Sequence, residues 1–112
     1  MTIRNGHAEL TPRFKARVQS WAAKIRVKPK QVRVQKMVRK WASCSTRGWV
    51  TFSEDLLRQR RQFQDYVIVH ELVHLKVPNH GKLFKSLVRI HLPDCNDAAV
   101  QGGRTFWRIV FL

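Results

Sequence analysis

Phe63-Gln64-Asp65-Tyr66-Val67-Ile68-Val69-His70-Glu71-Leu72-Val73-His74-Leu75-Lys76-Val77 is apolar nearly all round, and Pro78 stops it. A helix with apolar residues on every side belongs at the centre of a domain, so the remaining elements must be arranged around it. Within it lies His70-Glu71-Leu72-Val73-His74, an H-E-x-x-H pattern. Positions four apart share one helix face, so both imidazoles can bind one metal ion, with Glu71 beside them and able to reach a bound water. Burying two imidazoles and a carboxylate among Val and Leu is costly unless they are paired or coordinated. A metal removes that objection.

Catalytic zinc usually takes three protein ligands and leaves one position for water. His80 is the favoured third. It lies just beyond Val77-Pro78-Asn79, where Pro ends the helix and Asn tolerates the unusual backbone angles of a sharp turn. Two rivals are His91 and Asp94. His91 falls on the apolar face of a helix predicted from Gly81 to Leu92, with Leu83, Phe84, Leu87 and Val88, where a hydrogen-bonded core histidine is the commoner reading. Asp94 sits in a Pro-Asp turn, where Asp is common for backbone reasons. No Glu follows Glu71, which excludes a downstream glutamate ligand.

Upstream, Thr11 and Pro12 suit a helix start. Phe14, Val18, Trp21, Ala22 and Ile25 then recur at helical spacing, with Arg13, Lys15, Arg17 and Lys24 between them, and the helix should end before Pro29. From Gln31 the period changes to alternation, with Val32, Val34 and Val38 on one face. Ser43 to Gly48 is turn-like, and Trp49-Val50-Thr51-Phe52 is rich in aromatic and β-branched residues. These two runs predict an antiparallel hairpin. Ser53-Glu54-Asp55 reads as a helix start with acids near the positive end of the dipole. Phe106 to Leu112 alternates weakly, as a third strand or a packed tail. The fold class expected is α+β: a small antiparallel sheet packed on helices, in one domain spanning 1–112.

With 112 residues the chain has room for one domain with a modest core. Its 44% apolar share argues against disorder. Lys and Arg number 22 against 7 Asp and Glu. The excess is uneven: residues 1–61 carry a net +13 and residues 62–112 a net +2. A concentrated basic surface suits phosphate backbones, although a solvated basic face explains it equally. Cys44 and Cys95 do not make a disulfide framework. The first seven residues lack the apolar run of a signal peptide, and no stretch is long enough to span a membrane. A cytoplasmic protein is the simplest expectation.

Several separated motifs occur in order: Lys40-Trp41-Ala42-Ser43-Cys44-Ser45, then Val50-Thr51-Phe52, then Asp65 to Leu75, then Asn79-His80-Gly81-Lys82-Leu83-Phe84. Together they resemble the YgjP-like, SprT-related zinc metallopeptidase family over about residues 31–93. Metzincins share the His70-to-His80 spacing. Val77, however, stands where they have a turn glycine, and no methionine follows Met37 to build their methionine turn. Family members usually carry Gly where Ala42 stands. The resemblance implies a minimal metallopeptidase core with zinc between a small sheet and two helices. Zinc would acidify its bound water, and Glu71 would take the proton and pass it to the leaving amine. A peptide or protein would be the substrate.

The Trp41-to-Ser45 segment could line the cleft and pair with an extended substrate. More simply, Trp41 packs on the central helix and Cys44 is a small buried hydrophobe. Two other functions compete. A bacterial rRNA-maturation family uses three histidines at this spacing as a zinc-dependent endoribonuclease, but has a small residue where Glu71 stands. A non-catalytic nucleic-acid-binding domain with structural zinc would have no use for Glu71. SprT relatives include proteases that act on DNA-bound proteins, so peptidase chemistry and non-specific nucleic-acid binding by the basic half could coexist.

Overall fold

The computed structural model describes residues 4–79 and 81–93, and their side chains from residue 10 onward. The first element, α1 (Arg4–Ile25), buries Phe14, Val18, Ala22 and Ile25 along one stripe and leaves Arg13 and Lys15 exposed. This is the stripe its spacing predicts. The start is not: Pro12 lies inside the helix, and the chain is already helical from Arg4. Proline removes one N–H donor but accepts helical φ, so a helix continues through it when the flanking residues favour helix, as Ala8, Glu9 and Leu10 do.

Three strands follow: β1 (Gln31–Gln35), β2 (Ala42–Cys44) and β3 (Trp49–Ser53). They form one sheet in the order β1-β3-β2. The predicted hairpin between the first and last runs is corrected here. β1 pairs with β3 in parallel, and the antiparallel partner of β3 is β2. The tight turn at Ser45 to Gly48 can join only neighbouring strand ends, which makes β2 and β3 the hairpin. The six residues 36–41 then cross over the end of β3, a distance of two strand spacings, or roughly 10 Å. β3 is thus inserted between two strands that precede it. Val38 falls in this crossover and is 65% exposed, outside the alternating strand to which its sequence assigned it.

The register puts Val32, Val50 and Cys44 in one row and Val34, Phe52 and Ala42 in the next. Both rows turn one apolar face toward the core, with Phe14 of α1 meeting Phe52 edge-on at 5.1 Å. Ser53 caps a short 3-10 helix, Glu54–Arg58, accepting a hydrogen bond from the Asp55 amide at 3.2 Å. This is the acidic helix start read from the sequence.

α2 (Arg61–His74) is central, packing on α1, on β2 and on α3 (Lys82–His91). From Val67 to His74 every residue is buried. Asp65 anchors α2 to α1 through an ion pair with Arg17 and a hydrogen bond from Trp21 Nε1 at 3.2 Å. Gln64 accepts from Arg17 at 2.6 Å and donates to the Leu57 and Gln59 carbonyls, so this buried amide is satisfied. α3 turns Phe84 and Val88 inward, while Leu83, expected inside, is 61% exposed. Leu83 precedes Phe84 by 100° of helical rotation, and the stripe that fits the core runs through Phe84 and Val88. Asp94, Cys95 and Phe106 to Leu112 lie outside the described residues, as does His80.

Candidate metal centre

His70 and His74 occupy one face of α2 because 3.6 residues per turn stack positions four apart. Their rings lie 4.9 Å apart, edge to face, and each residue is 3% exposed. Glu71, on the same turn, is fully buried. His70 Nδ1 lies 3.3 Å from Glu71 Oε2. Glu71 Oε1 has no hydrogen-bond partner among the described residues.

Burial governs the electrostatics. It lowers the His70 pKa to about 3, so the imidazole is neutral at physiological pH, the form that binds a metal. It raises that of Glu71 well above the usual carboxylate value, with the Lys40 charge acting in the opposite direction. The Cys44 thiol, buried on β2, is pushed up to about 12, first by burial and then by the Glu71 charge. A thiol held protonated is no nucleophile, in keeping with Cys44 as a small buried apolar side chain.

The sequence did not single out Phe84 as part of this site. Its ring, brought in by α3, sits 5.0 Å from the His70 ring and 4.6 Å from the His74 ring. The available signal was its inward phase on α3, which indicates burial but not against what. Tyr66 flanks His70 from the preceding turn at 6.0 Å. His91 lies edge-on to Trp21 of α1, 6.5 Å between centroids, which suits the packing role rather than the ligand role. Among the described residues no three His, Cys, Asp or Glu side chains form a metal-holding group.

The model of the YgjP-like metallopeptidase domain matches residues 4–101. The chain belongs to the YgjP-like metallopeptidase family. It is therefore a metallopeptidase, a hydrolase whose family implies a metal cofactor. The match begins in α1, well upstream of residue 31 where the recognisable motifs start. Two solved structures share the fold. The zymogen of the metallopeptidase abylysin from Pyrococcus abyssi aligns with a TM-score of 0.73 at 18% identity, covering 83% of this chain and 98% of that one. The zymogen of jannalysin from Methanocaldococcus jannaschii aligns with a TM-score of 0.69 at 22% identity, covering 76% and 88%. No curated protein matches this sequence significantly.

The YgjP-like chain offers a donor set that fits a metal ion. Two imidazoles share a buried face, and a buried carboxylate oxygen beside them has no hydrogen-bond partner among the described residues. No helix among the described residues is long and apolar enough to cross a membrane.

Proposed function

We propose that this chain hydrolyses peptide bonds with a zinc ion held by His70, His74 and His80, and with Glu71 as general base. The observation that carries the reading is Glu71 itself: a fully buried carboxyl, next to paired imidazoles, with one oxygen that has no partner among the described residues. A carboxyl buried there either keeps its proton or, when ionised, needs a cation beside it, and a bound metal ion supplies one. Imidazole donors suit zinc in a catalytic setting, and Cys44, the cysteine among the described residues, is held as a thiol.

Bound zinc supplies Lewis-acid chemistry, polarising a substrate carbonyl and acidifying water. The chain's own groups do the rest. His70 is neutral through burial, and with Nδ1 3.3 Å from Glu71 Oε2 it would donate its Nδ1 proton there, fixing the tautomer and leaving the Nε2 lone pair as the ligand atom. That hydrogen bond also orients the Glu71 carboxyl and leaves Oε1 to accept the proton of the attacking water. Glu71 then returns the proton to the departing amine, and the peptide bond breaks. Phe84 packs against both rings and holds them in place.

The test is hydrolysis of a quenched fluorogenic peptide by the full chain. Turnover should vanish in chelator and return with zinc. His70→Ala, His74→Ala and His80→Ala should each lose the metal, while His91→Ala and Asp94→Ala keep it. Zinc retained by His80→Ala but lost by Asp94→Ala would overturn the ligand set.

The basic half supports a second, weaker reading, namely non-specific nucleic-acid binding at low salt. Arg13 and Lys15 are exposed on α1. Arg17 is tied to Asp65, and Lys24 lies over the Trp21 ring at 4.7 Å. Glutamine at Arg13 and Lys15 should therefore reduce such binding and its salt dependence, with zinc content unchanged.

A further inference from the structure

We propose that the cleft leading to His74 is a groove for acidic peptide segments, so that the enzyme favours substrates with Asp and Glu close to the cut bond. The inference rests on the peptidase reading above and names its substrate class. The cleft has a volume of about 690 Å³. Arg26, Lys28, Lys30, Arg47 and Lys76 line it together with His74, and among the described residues no Asp or Glu does. Five cations around one concavity repel each other and focus a positive potential that an anionic chain relieves.

The walls are built, not incidental. The Lys30 amide donates to the Gly48 carbonyl at 2.8 Å, joining the segment before β1 to the β2–β3 turn. Within that turn the Ser45 hydroxyl accepts from the Arg47 and Trp49 amides, both at 3.2 Å, which fixes the backbone from which Arg47 projects. Gly48 has φ 92°, and an added Cβ would come within 3.2 Å of Lys30 Cγ. Glycine suits this φ, and a side chain here would push the Lys30 stem aside by a few tenths of an ångström.

Arg26 supplies an independent observation. It follows the last residue of α1 with φ 67°, the one non-glycine residue in the left-handed region among the described residues. Its amide and that of Val27 close the helix on the Ala22 carbonyl at 2.8 and 3.0 Å. Glycine is the unstrained choice at such a helix end. An arginine there keeps a strained backbone and places a cation in the cleft. Strain of this kind is tolerated where it serves a site.

Nucleic acid fits the groove less well. Apart from the His74 imidazole no aromatic ring among the described residues lines it, so these walls offer bases no stacking platform. A cleft of this size accommodates a few peptide residues rather than a duplex.

The test is fluorescence anisotropy with the full chain carrying Glu71→Gln, so that bound peptide is not consumed. Three labelled probes are compared: a Glu-Ala repeat of twelve residues, a Gln-Ala repeat of equal length, and a twelve-nucleotide single-stranded DNA. The acidic peptide should bind at least about tenfold tighter than the Gln-Ala peptide at low salt, with the gap closing at about 0.5 M salt. Arg26→Gly, Lys28→Gln and Arg47→Gln together should abolish the gap without lowering Tm. Removing the same charge elsewhere, with Arg13→Gln, Lys15→Gln and Lys85→Gln, should leave it. Equal affinity for the two peptides, or equal loss in both triple variants, would overturn the proposal. So would DNA that binds tighter than the acidic peptide and is released by the cleft substitutions. Cleavage of the Gln-Ala peptide by the zinc-loaded parent chain reports separately on the peptidase reading.

Discussion

At His70 and Glu71 the same burial acts on opposite protonation states. Unfolded, His70 takes its proton near pH 6.5, whereas the folded ring resists it until about 3. In that window the unfolded chain binds the extra proton, so this contribution to stability is full above about 6.5 and lost as pH falls. Glu71 behaves in reverse. Its folded carboxyl keeps a proton above the usual range, so its contribution is full at acid pH and lost as pH rises. In chelator, Glu71→Gln should therefore melt close to the parent near about pH 4.5 and increasingly above it toward about pH 8. A gap that does not widen with pH would mean that the Glu71 charge is not buried at a cost. At Phe84, removal of a buried ring that touches both imidazoles should be felt twice. Phe84→Ala should cost about 3–4 kcal/mol in denaturant unfolding. Phe84→Leu should fold but bind zinc about tenfold more weakly, because the rings lose their support. Unchanged zinc affinity in the leucine variant would reduce Phe84 to a core residue.

At the scale of elements, α1 is held to α2 by a polar anchor on an otherwise apolar contact. Asp65→Ala should strand the half-buried Arg17 and cost about 2 kcal/mol, and a double-mutant cycle with Arg17→Leu should recover part of it. A loss under about 0.5 kcal/mol would show the pair to be no more than a surface contact. Arg26→Gly, at the other end of α1, should raise stability by about 0.5–1 kcal/mol as left-handed strain is relieved, partly offset by glycine's freedom in the unfolded chain. What could be read in the sequence follows the same scale. The grouping of His70, Glu71 and His74 on α2 was legible because H-E-x-x-H is local: helical pitch alone brings the three together. The pairing of β1 was not, because parallel or antiparallel registry depends on where residues 36–41 carry the chain, and nothing local encodes that path. The start of α1 was missed for a different reason. Proline at residue 12 is compatible both with a first turn and with an interior position, and the tolerant case was the real one. The basic cleft was invisible because its five cations come from segments that only the fold unites.

For the molecule as a whole, the central question is whether sheet and helices exist to hold one hydrolytic site. The family model extends over residues 4–101, so the segments before β1 and after α3 belong to the unit being matched. We propose one domain over 1–112, which predicts a single cooperative thermal transition, raised by zinc in proportion to its affinity. Two separated transitions would divide the chain. The most direct measurement compares zinc content and peptide hydrolysis in the parent and in Glu71→Gln. Both should hold one zinc per chain and share the fold, while the variant loses at least about 100-fold in kcat because an amide cannot take the proton from water. Equal turnover at equal zinc content would contradict the account.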